Sequence, residues 1–438
     1  MTANSAPAVP PRSSFRWIIC TLLFFATVIA YVDRGVIGYL EKSLETIIGW
    51  NSIQYGYITG AFQAAYALGF VGAGWFTDRL GTRKGFALAI TIWSIAAMLP
   101  GAAFSVSTFG IAMFFLGLGE AANFPACIKT VAEWFPKKER ALATGLFNSG
   151  ANIGSIVVPL VVPFLALNLG WRGAFVGTGL LGFVWLALWL SFYAKPDAHP
   201  RVSPAELQVI ESDPVEKVVS IPWSRLFPKR ETWAFALGKF LTDCIWWFYI
   251  FWLPRYLQGT FHLDLEQSRR PIVAVYVLAI GGSVGGGWLS SFLLRRGLPV
   301  NFARKATLLV CALCVVPVIF APYSHSLWAV VALIGLAAAA HQGWSANLFT
   351  LSSDMFPKSA VASVVGIGGM CGAVGGFILQ IATGYVVNAT NSYLPLFILA
   401  SSAYLLAWIV IQFLVPKLSS PSGHETKQPV AESPELAR

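Results

Sequence analysis

The sequence predicts an all-α membrane protein with twelve transmembrane helices in two pseudo-symmetric six-helix bundles, and three observations predict this class. Of the 438 residues, 56% are hydrophobic and only 11% are charged, with a mean hydropathy of +0.66, a balance that is unusual for soluble globular domains. Apolar runs of about 18 residues or more recur from Trp17 to Val415 with short polar breaks, which suits membrane-spanning helices. The alternating pattern typical of a transmembrane β-barrel is absent.

The predicted spans fall into two groups of six. A hydrophilic, proline-rich segment separates the groups, and its composition suits a cytoplasmic linker. We expect a cytoplasmic N-terminal tail (1–16), a first bundle (17–194), a linker (195–232), a second bundle (233–415) and a disordered cytoplasmic tail (416–438). The predicted spans are 17–39, 53–76, 86–104, 108–130, 141–166, 173–194, 233–257, 271–294, 304–321, 325–350, 360–387 and 393–415.

Basic residues concentrate in alternate connections between the predicted helices. Lys and Arg total 30 against 20 for Asp and Glu, and their distribution is the positive-inside asymmetry of membrane proteins. It predicts cytoplasmic termini in a bacterial inner or plasma membrane, and it accounts for the basic balance without nucleic acid. The basic-rich connections hold Arg12, Arg16, Arg79, Arg83, Lys84, Lys137, Lys138, Arg140, Lys195, Arg295, Arg296, Arg304, Lys305, Lys358 and Lys417, and the others hold Lys42, Arg172, Arg255, Arg269 and Arg270.

Cysteine and histidine spacing gives no sign of a metal site. The six cysteines lie mostly in apolar segments, without a CxxC pair or a His/Cys pattern, and we expect them to pack as small hydrophobic side chains. No nucleophile–base constellation appears in the sequence either. We therefore expect no cofactor and no enzymatic activity.

The two halves carry related segments. Glu133-Trp-Phe-Pro is followed by Gly145, and Asp354-Met-Phe-Pro is followed at the same separation by Gly366. A repeat between two groups of six helices is typical of secondary transporters that bind their substrate near mid-membrane, between the repeats. The repeat therefore predicts a site between the two bundles.

The first span carries two charged residues, Asp33 and Arg34, inside the expected hydrocarbon layer. Each charge costs about 2.5–3.5 kcal/mol at a helix centre. Helix neighbours do not face each other, so the two are not expected to pair directly. Each needs a partner on another helix or in a water-filled cavity. A further lone acid, Glu120, lies in the apolar fourth span, and intramembrane charges of this kind mark solute or proton paths.

The residue types suggest roles for this charged group. Arg34 suits a substrate carboxylate because its planar guanidinium binds carboxylates bidentately, and Tyr31 shares its helix face. Asp33 and Glu120 are candidate proton carriers, since burial disfavours a charged carboxyl and lets it take up a proton near neutral pH. The alternatives are a structural ion pair for Arg34 with an acid on another helix, core packing for Tyr31, and permanent salt bridges for the two acids.

The connection between the second and third spans carries the motif Gly74-Trp-Phe-Thr-Asp78-Arg79-Leu-Gly81-Thr-Arg83-Lys84. It matches G-x-x-x-D-R-x-G-x-R-[RK], the signature of the major facilitator superfamily, which the chain therefore resembles. The resemblance implies the twelve-helix fold of that family. It also implies a cytoplasmic gating latch for the outward-open state, formed by Gly74, Asp78, Arg79, Gly81 and Arg83. The second-half copy has Ser291 in place of the aspartate, so we assign no latch role there.

Further motifs are Tyr31-x-Asp33-Arg34, Gly119-Glu120-Ala121, Glu133-Trp-Phe-Pro136 with Glu139-Arg140-Ala141, Phe147-Asn148-Ser149-Gly150, Gly238-Lys239-Phe-Leu-Thr-Asp243 with Trp246-Trp247, and Ala340-His341-Gln342 with Leu351-Ser-Ser353-Asp354. They resemble the anion:cation symporter branch of the superfamily, which includes vesicular glutamate, sialic acid, galactonate and hexuronate carriers. The regions around Lys239 and His341 are most similar to hexuronate transporters. One departure is Met113, where the branch commonly has an arginine. The usual Arg–Glu gating pair is therefore absent here or has another partner.

Other polar side chains are candidate substrate-binding residues. Gln63 and Tyr66 share a face of the second span, and the resemblance makes Tyr66 a cavity residue. Lys239 and Asp243 are four residues apart, so Lys239 either contacts the substrate or forms a self-contained ion pair. For the remaining candidates the alternative is hydrogen bonding between helices or anchoring at an interface: Asn148, Asn152, Trp247, His341, Gln342, Trp344 and Asn347.

These features together predict a secondary transporter that imports a hexuronate, such as glucuronate or galacturonate, with protons by alternating access, as a monomer in the bilayer. The nearest alternative is a proton-coupled symporter of another organic anion, namely an aldonate, an aldarate or an aromatic carboxylate. A drug-efflux antiporter would favour an apolar cavity, which the buried Arg34 and Lys239 do not suit. A membrane sensor on a transporter scaffold would need a larger cytoplasmic domain.

Overall fold

The computed structural model describes residues 14–212, 223–356 and 358–418, and within these ranges the chain forms helices, turns and loops without a β-strand. The predicted tails before residue 14 and after 418, part of the linker (213–222) and Pro357 lie outside the described residues. The helices are α1 (Phe15–Ile48), α2 (Ser52–Leu80), α3 (Thr82–Met98), α4 (Val106–Glu120), α5 (Asn123–Trp134), α6 (Lys137–Phe192), α7 (Pro204–Ile210), α8 (Trp223–Leu226), α9 (Arg230–Thr260), α10 (Arg269–Arg295), α11 (Val300–Val315), α12 (Leu327–Met355), α13 (Lys358–Thr390) and α14 (Leu394–Leu414).

Twelve membrane crossings follow from the helices in these described ranges. Ten helical stretches are long and apolar enough to cross a membrane. One of them holds two crossings, because α6 runs for 56 residues and is broken at Gly170, whose φ of 72° and ψ of 168° suit glycine. The remaining crossing is α2, whose 29 residues extend about 43 Å. The predicted all-α membrane fold is confirmed.

One predicted span differs from the structure in detail. The fourth, expected as one helix over 108–130, is divided because α4 ends at Glu120 and α5 begins at Asn123. The two residues at the joint are alanines, but Pro125 in the first turn of α5 has no backbone N–H to donate to the carbonyl of Ala121, which favours a break at this place. The fifth and sixth spans are separate crossings as expected, because the helical conformation of α6 is interrupted at Gly170, which lies between the two predicted spans.

The helices pack into two groups that meet along three helix pairs. In the first group α1 and α3 pack on α6 and α2 packs on α4, and in the second α10 packs on α12 while α9 packs on α13 and α14. The groups meet where α2 contacts α13, α1 contacts α9 and α6 contacts α10. Glycine allows this approach, since a Cβ placed on Gly56 would lie 2.8 Å from the carbonyl oxygen of Gln380.

Polar contacts between the halves hold the bundle together at the end away from the chain termini, where α1 ends and α2 begins. The hydroxyl of Tyr55 donates to the carbonyl of Phe251 at 2.7 Å. The hydroxyls of Tyr57 and Tyr385 are also 2.7 Å apart. The structure is therefore closed at this end.

Arg255 on α9 provides the ionic part of this closed end, a role that the sequence analysis did not assign. Its guanidinium bonds to Glu41, and it donates to Glu45 at 2.9 Å and to the hydroxyl of Ser52 at 3.0 Å. The indole of Trp50 donates to Glu41 at 3.3 Å. Glu41 is fully buried, and a buried carboxylate needs such a counter-ion. Arg255 therefore ties the second half to α1 and α2.

The variant Arg255→Ala is expected to open this end more often. Loss of the cation leaves Glu41 uncompensated, which costs about 3–5 kcal/mol while the end is closed and less once water reaches the carboxylate. The measurement is labelling of Thr59→Cys, a position buried between the halves, by a membrane-impermeant maleimide in a cysteine-free background. We expect labelling to accelerate more than about tenfold.

The matched control is Arg172→Ala, because Arg172 stacks on Trp171 of its own half at 4.2 Å. This variant should label at the rate of the parent protein. Equal labelling of the Arg255 and Arg172 variants would contradict a closing role for Arg255.

Candidate functional site

Arg34 lies near the middle of α1 with only 2% of its side chain exposed. Its Nη2 and Nε atoms are 2.5 Å and 2.8 Å from Oε2 of Glu120, the last residue of α4. The adjacent carboxyl of Asp33 makes no bond to the guanidinium, as expected for helix neighbours. In this conformation Arg34 is therefore paired with an acid on another helix and is shielded from water. Such an ion pair is the alternative to substrate binding that the sequence analysis left open for Arg34.

The partner of Glu120 comes from α1 because α4 supplies no cation nearby. Met113, two turns earlier on α4, is buried and uncharged. The presence of Met113 left two possibilities, namely that the usual Arg–Glu pair is absent or that it has another partner. The structure shows the second, because Glu120 is paired with Arg34. The ion pair therefore links two helices.

Aromatic rings surround the guanidinium on the sides that Glu120 leaves free. The Cζ atom of Arg34 lies 4.3 Å from the ring centre of Tyr31, 5.3 Å from Tyr66, 5.5 Å from Phe62 and 5.1 Å from Trp247. Rings at these distances attract a cation through their negative faces. Trp247 belongs to α9, so the cage around Arg34 includes both halves of the bundle.

Asp33 is buried away from this cage, with 3% of the residue exposed. Neither carboxylate oxygen has a hydrogen-bond partner among the described residues. Glu120 and Arg34 act on it electrostatically, while the hydroxyl of the neighbouring Thr178 donates to the carbonyl of Phe175 at 3.2 Å. An ionised carboxylate without a donor is costly in such surroundings, so the packing suits the neutral acid.

Gln63 is fully buried on α2, and neither atom of its amide has a hydrogen-bond partner within the described part of the chain. The side chain lies where the halves meet, since a Cβ placed on Gly376 would be 3.1 Å from Cδ of Gln63 and 2.9 Å from Cδ1 of Trp247. Buried amides are normally paired because an unpaired one costs about 1–3 kcal/mol. The position therefore suits an amide that bonds to a ligand or to water.

Lys239 and Asp243 form the ion pair that their spacing on α9 allows. Nζ of Lys239 is 2.7 Å from Oδ2 of Asp243, with 9% and 17% of the two side chains exposed. The ammonium also lies 4.5 Å from the ring centre of Phe349. In this conformation the pair is self-contained, yet it is more accessible than the pair formed by Arg34.

The polar cluster of α12, formed by His341, Gln342, Trp344 and Asn347, divides into separate contacts. His341 is stacked on Trp246 at 4.9 Å, and its Nδ1 lies 2.6 Å from the hydroxyl of Tyr404. The amide of Gln342 donates to Asn152 at 2.9 Å, which joins α12 to α6 across the halves.

Two other members of this cluster stay within the second half. The amide of Asn347 donates to the carbonyls of Gly286 and Gly343 at 3.0 and 2.9 Å, so it joins α12 to α10. Trp344 is fully buried, and its indole nitrogen has no partner among the described residues.

Asn148 is exposed and lies one turn before Asn152, outside the polar contacts between the halves.

The predicted latch is described only in part. The side chains of residues 73–78 lie outside the described residues, and so do the predicted latch roles of Gly74 and Asp78. Gly81 joins α2 to α3 with φ of 75° and ψ of 159°, and Arg79 is exposed. Arg83 donates to the carbonyl of Leu190 at 2.6 Å, so it holds α3 against the end of α6.

The repeated acids found in the sequence occupy corresponding places in the two halves. Glu133, near the end of α5, accepts from the hydroxyl of Thr82 at the start of α3 at 2.6 Å. Asp354, near the end of α12, accepts from Arg304 near the start of α11 at 2.8 Å. Each acid therefore fastens the same two helices of its half, which supports the pseudo-symmetry.

A bundle of two membrane-crossing halves with paired charges buried between them is the architecture of secondary transporters. The family model described as Major Facilitator Superfamily matches residues 23–380 of the sequence. The chain belongs to the Major Facilitator Superfamily. It is a multi-pass membrane transporter and not an enzyme.

Curated relatives cover most of the chain. A probable galactarate/D-glucarate transporter of Bacillus subtilis is 30% identical over 400 residues, covering 87% of this chain and 88% of the relative. The hexuronate transporter of Escherichia coli is 29% identical over 404 residues, covering 90% and 93%. These relatives agree with the resemblance drawn from the motifs.

Solved structures share the fold. The inward open conformation of the xylose transporter from E. coli superimposes with a TM-score of 0.71 at 14% identity, covering 93% of this chain and 99% of the other. A bacterial homologue of the human lysosomal transporter Spinster, inward-facing and occupied, gives a TM-score of 0.69 at 18% identity, covering 92% and 96%. At these identities the likeness concerns the fold alone.

Proposed function

We propose that this protein imports a sugar-acid anion, specifically a hexuronate such as glucuronate or galacturonate, together with protons by alternating access. The observation that carries the proposal is the Arg34–Glu120 pair, in which a buried guanidinium already holds a carboxylate at 2.5 Å between the halves. The names of the relatives, which include transporters of hexuronate and of D-galactonate, support the same substrate class.

Substrate and Glu120 would compete for one guanidinium. A carboxylate of the substrate can accept from the guanidinium as Glu120 does through Oε2, so either anion satisfies the cation. Displaced from Arg34, Glu120 would be a buried and unpaired charge, which is costly unless it takes up a proton. Substrate binding at Arg34 and proton binding at Glu120 therefore favour each other, which is the coupling that a symporter requires.

The surroundings of Arg34 suit the rest of a sugar acid. Gln63 has an unpaired amide for a hydroxyl group, and the phenol groups of Tyr31 and Tyr66 lie beside the guanidinium. Trp247 supplies a flat apolar face from the second half. A few polar groups set among aromatic rings are the usual lining of a small-molecule site.

Coupling to protons offsets the electrical cost of importing an anion against the membrane potential. Moving one negative charge into an inside-negative compartment costs about 2.3 kcal/mol per 100 mV. One proton on Glu120 would make uptake of a monoanion electroneutral. A second proton, for which Asp33 is the candidate because its carboxyl lacks a donor, would let the potential drive uptake.

The conformation fits one stage of such a cycle. The halves are joined by Arg255 and by the tyrosine contacts at the end away from the termini. With cytoplasmic termini in the plasma membrane, as the charge pattern predicts, this is a state that is closed to the outside. The monomer is the expected unit, since the proposed site lies between the two halves of one chain.

The direct test is uptake of labelled galacturonate into proteoliposomes that contain the purified protein. We expect an inward-directed proton gradient of one pH unit to concentrate the anion about tenfold for each coupled proton, since one unit is worth 1.36 kcal/mol. A protonophore should abolish the accumulation, and protein-free liposomes are the control. Accumulation of only aromatic carboxylates would replace the proposal by the organic-anion alternative, and proton-independent equilibration would overturn symport.

A further inference from the structure

Each half of the bundle buries a basic side chain whose ionic partner is an acid of the same half. In the first half Arg34 is paired with Glu120, and in the second half Lys239 is paired with Asp243. The proposed function uses the first pair to hold a carboxylate. The second pair has the same chemistry, and the proposed function does not use it.

The second pair faces the inside of the bundle. A Cβ placed on Gly372 of α13 would lie 2.7 Å from Oδ2 of Asp243, and one on Gly368 would lie 3.3 Å from Cγ of Lys239. Phe349 of α12 lies beneath the ammonium at 4.5 Å. With α9, α12 and α13 around it, the exposed part of the pair is not on the outer, lipid-facing surface.

The two pairs are connected by one aromatic surface. Lys239, Asp243 and Trp247 follow each other at four-residue intervals on α9, so they lie within an arc of about 80° and span a rise of about 12 Å. Trp247 at the far end of this row is 5.1 Å from the guanidinium of Arg34. Tyr31 interacts electrostatically with Asp243 as well as with Arg34 and Glu120.

We infer that Lys239 and Asp243 form a second carboxylate site, and that the protein binds six-carbon sugar acids with a carboxylate at each end more tightly than those with one. This inference rests on the proposed function, because it takes Arg34 as the site of the first carboxylate. The second carboxylate displaces Asp243 from Lys239 as the first displaces Glu120 from Arg34. A monocarboxylate engages only the first cation fully.

The competing account is a structural ion pair that serves only to neutralise two charges inside the bundle. The accessibility of the two pairs favours a ligand site. Lys239 and Asp243 retain 9% and 17% of their side-chain exposure, whereas Arg34 and Glu120 retain 2% and 0%. A ligand can therefore reach part of the second pair even in this conformation, in which the first pair is shielded.

The test compares galactarate with galactonate, two linear acids that differ only in whether the second end is a carboxylate or a hydroxymethyl group. Dissociation constants are measured by calorimetry on the purified full-length protein. Since a hydrogen bond to a charged group is worth about 1.5–3 kcal/mol, we expect galactarate to bind about 10-fold to 100-fold more tightly. The readout is this ratio, which is independent of the amount of folded protein.

Two variants of the pair should move the ratio in opposite directions. Lys239→Gln removes the cation and should bring the ratio close to one. Asp243→Asn removes the competing acid and should raise the ratio above that of the unchanged protein. The matched control is Lys305→Gln, since Lys305 is a buried lysine of the same half that donates to the carbonyls of Val415 and Pro416 and should leave the ratio unchanged.

The outcomes separate this inference from the proposed function. A ratio that does not respond to Lys239→Gln overturns the second site, and so does binding of galacturonate or galactonate without binding of galactarate, while both results leave sugar-acid transport in place. If none of the three acids binds, the proposed function fails as well. A ratio that falls with Lys239→Gln and rises with Asp243→Asn supports the inference.

Discussion

Arg34→Ala is expected to lower the affinity for galacturonate by more than about 100-fold, because truncating one partner of a buried, hydrogen-bonded charge pair costs at least 2–5 kcal/mol. The guanidinium lies within a ring of four aromatic side chains and holds a carboxylate through two nitrogen atoms. Arg34→Lys keeps the charge but loses the bidentate geometry, so we expect an intermediate loss. Calorimetry with galacturonate and counterflow exchange in proteoliposomes measure the two effects.

A control is needed because Arg34→Ala leaves Glu120 buried without a counter-ion, which threatens folding. The double variant Arg34→Leu with Glu120→Leu removes both charges, and replacing a buried ion pair by apolar residues is often neutral or stabilising. It should keep its thermal stability and still fail to bind. Affinity retained by this stable variant would move the carboxylate site elsewhere, with Lys239 the next candidate.

Local chemistry was enough to predict most of the architecture. Long apolar runs specify membrane helices because the bilayer requires them, and the repeat at Glu133 and Asp354 indicated two related halves. The joins between helices were harder to predict. The break after Glu120 was not predicted, although Pro125 in the first turn of α5 marks it. The separation of the fifth and sixth spans was predicted, and it falls at Gly170. In both cases a local residue accounts for the break, a proline without a backbone N–H in the first and a glycine with positive φ in the second.

The identity of the buried charges was predictable, but their partners were not. A charged side chain in the hydrocarbon layer is costly whatever the tertiary fold, so Arg34, Asp33 and Glu120 can be identified as candidates from the sequence alone. The bond between Arg34 and Glu120 joins residues 86 positions apart, and no local pattern specifies it. Only the i,i+4 pair of Lys239 and Asp243 could be derived from spacing.

Arg255 is a further example of a long-range contact that the sequence does not predict. In the sequence it is one basic residue near the end of a span, as expected of a topology signal. In the structure it reaches Glu45, 210 positions earlier, and closes one end of the bundle. Its role depends on how the two halves meet, and that relation is not encoded in any short segment.

The two sets of contacts suggest how binding is transmitted through the protein. Arg34 touches both halves, because its cage contains Tyr31, Phe62 and Tyr66 from the first and Trp247 from the second. Arg255 joins the same helices, α1 and α9, nearer the closed end. A substrate that replaces Glu120 at Arg34 changes the charge at the first of these contacts. A change at the cage is therefore connected through two rigid helices to the closed end.

Glu120→Gln is expected to abolish accumulation driven by a pH gradient while leaving exchange of substrate across the membrane. Glutamine has the shape of a protonated glutamate and cannot lose its proton, so Arg34 remains available to the substrate and affinity is retained or increased. Without a group that gains and loses the proton, the gradient no longer contributes its 1.36 kcal/mol per pH unit. The accumulation ratio in proteoliposomes should fall from about tenfold per coupled proton to about one. Counterflow exchange of substrate should still be detected.

The matched control is Glu139→Gln, because Glu139 is also an acid of the first half paired with an arginine, Arg16, at 2.9 Å, but lies at the end near the termini. It should lose little accumulation. If the Glu120 variant still concentrated galacturonate under a pH gradient, the proton would have to be carried elsewhere. Asp33, whose carboxyl has no donor within the described residues, would then be the group to test by Asp33→Asn, since it is the other buried acid of the first half that could exchange a proton without breaking an existing bond.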